Sequence, residues 1–262
     1  MVISAAVLAS GAVLASEAAC TEAAIAFPVL QMLYWTISFP KHLADLNLIK
    51  LFSNTMILVF LSSILLISLS FISNYGNRVT RSKLLSVLTT FSVSGYAIPG
   101  IILAVAFITF ISWLDNNIIS FFGFQTIKSI FIGSVLGLIL VYFIRFYSLA
   151  SNGLKSGYLK INYSIDESAY LLGYSKFKTF TNIHIPYLKN SMLLIGILIT
   201  IEIIKELPIT LIMRPFNFET FATTAYIFAS QDLLEAAAAP SLFLIIIASF
   251  FILITSRFIL KD

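Results

Sequence analysis

The chain has 262 residues, 59% of them apolar and 11% charged, with a formal net charge of +4 and a mean hydropathy of +0.99. Soluble domains run near half apolar and a quarter charged, so this composition rules against one and indicates a polytopic membrane protein; the pass along the chain that follows gives an all-α bundle of about six spans. One cysteine, Cys20, excludes a disulfide framework or thiolate cluster; His42 and His184 are too far apart for metal-ligand spacing; and the small positive charge matters by its placement across a membrane, not as a nucleic-acid signal.

Residues 1–22 are an uncertain lead-in, small and apolar with no basic start, which argues against a cleavable signal peptide. A first span is expected over 23–39, short for a bilayer that needs about 20 apolar residues. A polar linker with Lys41, His42, Asp45 and Asn47 completes a unit of 23–49, and 50–260 forms the main transmembrane body. Leu51 to Ile72 is the second span, in which Asn54 and Thr55 read as helix-packing groups and Asn54 as a candidate for a transport path. The third span, Leu84 to Trp113, contains Gly95, Pro99 and Gly100; Pro99 is expected to kink it, with a hinge as the alternative reading. Asp115, Asn116 and Asn117 end it, and Phe121 to Phe124 suit an aromatic belt. The fourth span covers Ser129 to Ala150. Gly133 and Gly137, four apart, would allow close helix approach, and Arg145 near its end would snorkel to the headgroups.

A cytoplasmic loop is expected over 155–190. Ser164 and Glu167 form a capping box that predicts a helix start, with Ile165, Ala169 and Leu172 on one face. Gly173 supplies the stop, because glycine tolerates the left-handed conformation that closes helices. A second short helix should place Phe177, Phe180 and Ile183 or His184 on one side and end at Pro186; His184 reads as loop surface and His42 as interfacial. The fifth span runs from Ser191 to Met213. The polar stretch Arg214 to Glu235, with a short interfacial helix over Phe221 to Ser230, leads to a sixth span from Ala238 to Phe258.

Glu167-Ser168-Ala169, three residues, Gly173, nine residues and then Ile183-His184-Ile185-Pro186 resembles the cytoplasmic loop motif of importer-type ABC permeases: Glu-Ala-Ala, three residues, Gly, nine residues, Ile, any residue, Leu-Pro. Ser168 and Ile185 depart from it by mild changes of volume. Further on, Glu206-Leu207-Pro208-Ile209-Thr210-Leu211 and Arg214-Pro215-Phe216-Asn217-Phe218-Glu219-Thr220 with Ala222 resemble the iron(III) branch of that family. So do Pro28 to Leu33, Tyr96 to Gly100 and the Ala-rich run Glu235 to Pro240. The likeness spans most of 23–258 and is to the second of the branch's two fused halves.

The resemblance implies a coupling helix seated in a cytoplasmic ABC ATPase, with Asp166, Glu167, Ala169, Gly173, Phe177, Phe180, Ile183 and Pro186 as its residues. It implies ATP and Mg used by that ATPase and no cofactor bound here, a periplasmic binding protein that delivers ferric iron, a second permease half (a fused N-terminal half or a homodimer), and a bacterial inner-membrane location. Other cargoes of the same class (organophosphonate, polyamine, thiamine or an oxyanion) stay open, as do a gradient-driven secondary transporter and a membrane scaffold.

With the hairpin placed inside, Arg78, Arg81, Lys83, Arg145, Lys155, Lys160, Lys176, Lys178, Lys189, Arg257 and Lys261 fall on the inner side. Lys41, Lys50, Lys128, Lys205 and Arg214 do not. That excess obeys the positive-inside rule. No Walker-type phosphate loop is present, and Ser62-Ser63 or His184 with Asp166 lack a base or metal partner at enzyme spacing, so the chain reads as a non-enzyme. Glu202 lies eleven residues past Ser191, about 17 Å deep at 1.5 Å per residue, with Lys205 and Glu206 within pairing distance along the helix. Glu202, Lys205 and Glu206 therefore join Asn54 and Pro99 as candidates for the translocation path; the alternative is that the segment bends at Pro208 and these groups meet water.

Overall fold

The structure, a computed structural model, describes residues 24, 26–80, 83–122, 129 and 131–259. The lead-in 1–22 and Arg81, Phe124, Lys128 and Lys261 lie outside them. In order, the helices are α1 (26–38), α2 (Pro40–Asp45), α3 (Leu48–Thr80), α4 (Lys83–Val93), α5 (Gly100–Phe122), α6 (Val135–Leu159), α7 (Tyr163–Leu171), α8 (Lys176–Thr179), α9 (Ile185–Ile204), α10 (Pro208–Met213), α11 (Phe221–Ser230) and α12 (Leu234–Ile259). The fold is an all-α polytopic bundle, without strands among the described residues. Among the described residues, five helices are long and apolar enough to cross a membrane: α3, α5, α6, α12 and the continuous run Lys176–Ile204. Over the expected first span the described helix is α1, which is not among these five, and the polar linker after it folds into the short α2.

α3, α6 and α9 pack together at the centre. On α6, Leu138, Tyr142, Phe146, Ala150, Leu154 and Tyr158 recur every four residues and are all buried, the stripe a helix shows to a protein core. α3 turns Leu58, Ser62, Leu66 and Ser70 inward while Phe52, Phe60 and Ile64 stand exposed. Apolar side chains on the outer face suit a lipid solvent, and small hydroxyls suit tight interhelical packing. Gly153 and Gly157 set the approach of α6 to α9: a Cβ on either would meet Ile195 at 2.7 Å or Leu188 at 2.9 Å. Gly133 and Gly137, expected to do this, instead serve the entry to α6: Gly133 takes a φ of +67° in the turn before it, and Gly137, in its first turn, lies against the Phe131 carbonyl and donates its N–H to the Ser134 cap.

Several expected boundaries move. The third span is not one kinked helix: α4 ends at Val93, a 3-10 turn covers Ser94–Ala97, and α5 starts afresh after Pro99. Proline drives the residue before it out of the helical region, so Ile98 cannot carry the helix through. Asp115 does not end α5. It lies within it, buried, and its carboxylate accepts the Phe131 and Ile132 N–H groups at 3.1 Å. That bond fixes the turn into α6, which starts six residues later than the fourth span was expected to and runs to Leu159. The loop is correspondingly shorter than 155–190, because Lys155 to Leu159 belong to α6 and Lys176 onward to the next long helix.

Candidate functional site

At one end of the bundle the connection between α6 and the next span folds into a hairpin of α7 and α8. Asn162, not Ser164, caps α7: its side chain accepts the Ser164 N–H, from an extended backbone two residues earlier than expected. The C-terminus closes as anticipated. Gly173 has φ +83°, with Tyr174 N–H bonded to Ala169 O and Gly173 N–H to Tyr170 O, the paired bonds of a Schellman cap. The second half differs from expectation. A π turn, Phe180–His184, joins α8 directly to α9, and Pro186 sits in the first turn of α9 instead of ending a helix. Proline has no N–H to give the preceding turn, and the wider π turn absorbs the missing bond.

A buried ionic node staples this hairpin to the body. Arg78, from the last turn of α3, donates through Nε to Asp166 Oδ2 at 2.6 Å. The same guanidinium donates to the carbonyls of Tyr158, Ile161 and Asn162 and lies over the Tyr163 ring. The other carboxylate oxygen of Asp166 pairs with His184 Nε2 at 2.8 Å. His184 is 0% exposed, not loop surface, and is boxed by Tyr75 and Tyr158. Phe180 packs on Phe71 and Tyr75, and Tyr75 donates its hydroxyl to Lys176 O.

The expected coupling residues therefore divide. Asp166 and Ala169 are buried, Phe180 and Ile183 half-buried, and Glu167, Gly173, Phe177 and Pro186 exposed. Leu172, expected on the packed face, is 78% exposed because the helix has already ended there; Leu171 and Phe177 stand beside it at 89% and 75%.

A second node lies mid-bundle, where two interrupted helices meet α6. α9 stops at Ile204 and α10 restarts at Pro208. In the gap, Glu206 is buried and faces Arg145 Nε at 3.3 Å. Arg145 is the eleventh residue of α6 and not a snorkelling end residue. Its Nη1 donates to Ile98 O at 2.9 Å, the carbonyl that the Pro99 break leaves without a helical partner. Tyr142 and Thr210 bond one turn away, and Thr210 Oγ1 donates to Glu206 O at 2.6 Å. Gly100 permits the meeting: a Cβ there would lie 2.9 Å from Glu206 Oε1 and 3.2 Å from an Arg145 nitrogen. Irregular backbone at membrane depth is tolerated where it is buried in protein or lines a cavity, and broken helices of this kind supply transporter sites.

Of the other path candidates, Glu202 and Lys205 pair with each other at 2.7 Å on a more exposed edge. Pro99 is exposed beside the node. Asn54 is turned to packing, donating to Glu219 O at 2.9 Å. Sequence reasoning missed Arg78 and Arg145 as site residues because both were counted as surface charge. A buried carboxylate at Asp166 or Glu206 needs a cation, and that need was the available signal.

No protein-family model matches the chain. Its fold is shared with chains of solved bacterial ABC transporters. A solved bacterial ABC transporter involved in the import of the acidic polysaccharide alginate aligns with a TM-score of 0.70 at 17% identity, over 87% of both chains. The bacterial alginate ABC transporter in complex with alginate pentasaccharide-bound periplasmic protein aligns with a TM-score of 0.72 at 16% identity, over 88% of this chain and 86% of that one. Among curated proteins, the Fe(3+)-transport system permease protein FbpB 2 of Haemophilus influenzae is 20% identical over 240 residues, which are 90% of this chain and 45% of that protein. The chain thus spans less than half the length of the relative it matches.

Proposed function

We propose that the chain is the membrane-spanning subunit of an ATP-driven importer in a bacterial inner membrane and that its cargo is ferric iron delivered by a periplasmic binding protein. The observation that carries the reading is the hairpin. It is held rigidly to the body through Arg78, Asp166 and His184, yet it presents Glu167, Leu171, Leu172 and Phe177 outward. An apolar tip on a rigid stem is what a separate ATPase subunit needs in order to push on the spans. Asp166, Ala169, Phe180 and Ile183 hold the hairpin; Gly173 closes it; Glu167 and Phe177 meet the ATPase, which binds the ATP and Mg.

The route runs past Arg145, Glu206 and the Pro99 break, with Glu202 and Lys205 at its edge and Asn54 supporting the loop that ends in Glu219. Iron is favoured by the likeness to the Haemophilus influenzae protein, and a second permease half, fused or separate, completes the pore. The test is uptake of radiolabelled ferric iron by cells that carry the chain with its ATPase and binding protein. ATPase copurification with iron uptake supports the proposal, copurification with uptake of another solute changes the cargo, and uptake without any ATPase overturns the class.

A further inference from the structure

A cavity of about 950 Å³ opens between the C-terminal turns of α3, the start of α4, the end of α6 and the entry to α7. It plays no part in the translocation reading. Its walls carry Lys83, Lys155, Lys160, Arg78, Asn77 and Asn152, and no carboxylate lines it among the described residues. Arg78 is committed to Asp166, but Lys83, Lys155 and Lys160 form no ion pair among the described residues. Three free ammonium groups converging on a polar recess with amide donors repel one another unless an anion sits among them, so the chemistry selects a multiply accepting anion.

Its depth selects the kind of anion. Lys155 lies ten residues beyond Arg145 on the same helix, about 15 Å at 1.5 Å per residue. If the Arg145 node is at mid-bilayer, that distance is half of a hydrocarbon core about 30 Å thick, which places the recess at headgroup level. Exposed Leu84 and Val87 on α4 and Leu159 on α6 offer apolar surface on the helices that bear the lysines. Basic pockets between helices at a membrane surface take anionic headgroups. We infer that this recess is a binding site for the phosphodiester headgroup of an anionic glycerophospholipid, with its acyl chains lying against α4 and the end of α6. The inference needs only that this end of the bundle lies at a membrane surface, so it stands or falls apart from the cargo.

The experiment uses the full chain, with any subunits that copurify, in phosphatidylcholine vesicles doped with phosphatidylglycerol; retained lipid is counted by native mass spectrometry after extraction. Phosphatidylglycerol should be retained over phosphatidylcholine, and Lys83→Ala/Lys155→Ala/Lys160→Ala should weaken retention by about fivefold per lysine. Lys41→Ala/Lys189→Ala, which removes charge elsewhere, should change it less than about twofold. Should the triple variant fail to fold, Lys155→Ala and Lys160→Ala singly carry the same expectation, and the triple Lys→Arg variant should keep the lipid. Equal retention in wild type and alanine variants overturns the site, as does an equal loss in the Lys41/Lys189 control. Protection against thermal unfolding by inorganic phosphate alone, with no phosphatidylglycerol preference, also overturns it in favour of a soluble anion.

Discussion

The hairpin node and the mid-bundle node each bury one arginine against one carboxylate, yet they are built to opposite effect. Arg78 directs its donors to Asp166 and to three backbone carbonyls, and Asp166 is held on its other side by His184. Arg145 has one carbonyl and one carboxylate at 3.3 Å, and its Nε finds no hydrogen-bond partner. A charge taken from water must recover its solvation through hydrogen bonds. The first arginine does so, and the second does so incompletely. The first node is therefore a fixed joint, whereas the second joins two helix breaks through contacts that can exchange partners. On the proposed reading, force applied at the hairpin would pass through the first node and be released at the second, where the helices are already interrupted.

The strongest way to break this contrast is to remove Asp166. Asp166→Ala leaves Arg78 buried beside His184 and should lower stability by about 3–5 kcal/mol, read as a fall in the unfolding midpoint in detergent. Replacing Arg78, Asp166 and His184 together with leucine or methionine should recover most of that stability, while iron uptake stays lost if the joint carries force.

Glu206→Ala should cost less, about 1–3 kcal/mol, since Arg145 keeps the Ile98 carbonyl and is 19% exposed at its side chain. Its uptake should fall as far as that of Asp166→Ala. Gly100→Val, which wedges the pair apart without altering any charge, should reproduce the phenotype, and normal uptake in both variants would remove the node from the route.

At the hairpin itself, Gly173→Ala should cost about 1–2 kcal/mol, because a side chain resists the left-handed backbone even in open space. Glu167→Arg, at an exposed position, should leave the melting curve unchanged and abolish uptake; unimpaired uptake would remove Glu167 from the coupling face. The smallest effect on stability is expected from Lys205→Ala, below about 0.5 kcal/mol for so exposed a pair. Glu202→Leu sharpens the point, since a loss of flux puts that edge on the route and unchanged flux takes it off.

Local rules recovered what local chemistry decides. Gly173 was legible because closing a helix left-handed requires a residue without a Cβ, and the end of α11 at Ser230 matched because Thr220 and the residues after Ser230 bound it on both sides. Ser164 was preferred to Asn162 because both can cap, and only the chain's path out of α6 decides between them. Pro99 marked an interruption, but whether proline kinks or breaks a span depends on who satisfies the freed carbonyl, and Arg145 lies 47 residues away. Arg145 itself was misplaced because hydropathy has no phase: an apolar run does not say where its helix begins, and the start of α6 is set by a carboxylate from α5.

The π turn before Pro186 has a mechanical consequence. Because it carries the chain through the proline without interruption, the run from Lys176 to Ile204 is a single rod of 29 residues, about 43 Å long. Gly153 and Gly157 bring α6 against it at Ile195 and Leu188, a contact about which it would tilt if it rocks. A tilt of about 5° about that contact would move the Ile204 end, about 14–24 Å away, by roughly 1–2 Å. Glu206 follows two residues beyond that end, and its contact with Arg145, already 3.3 Å, would be opened beyond hydrogen-bond range by a stroke of that size.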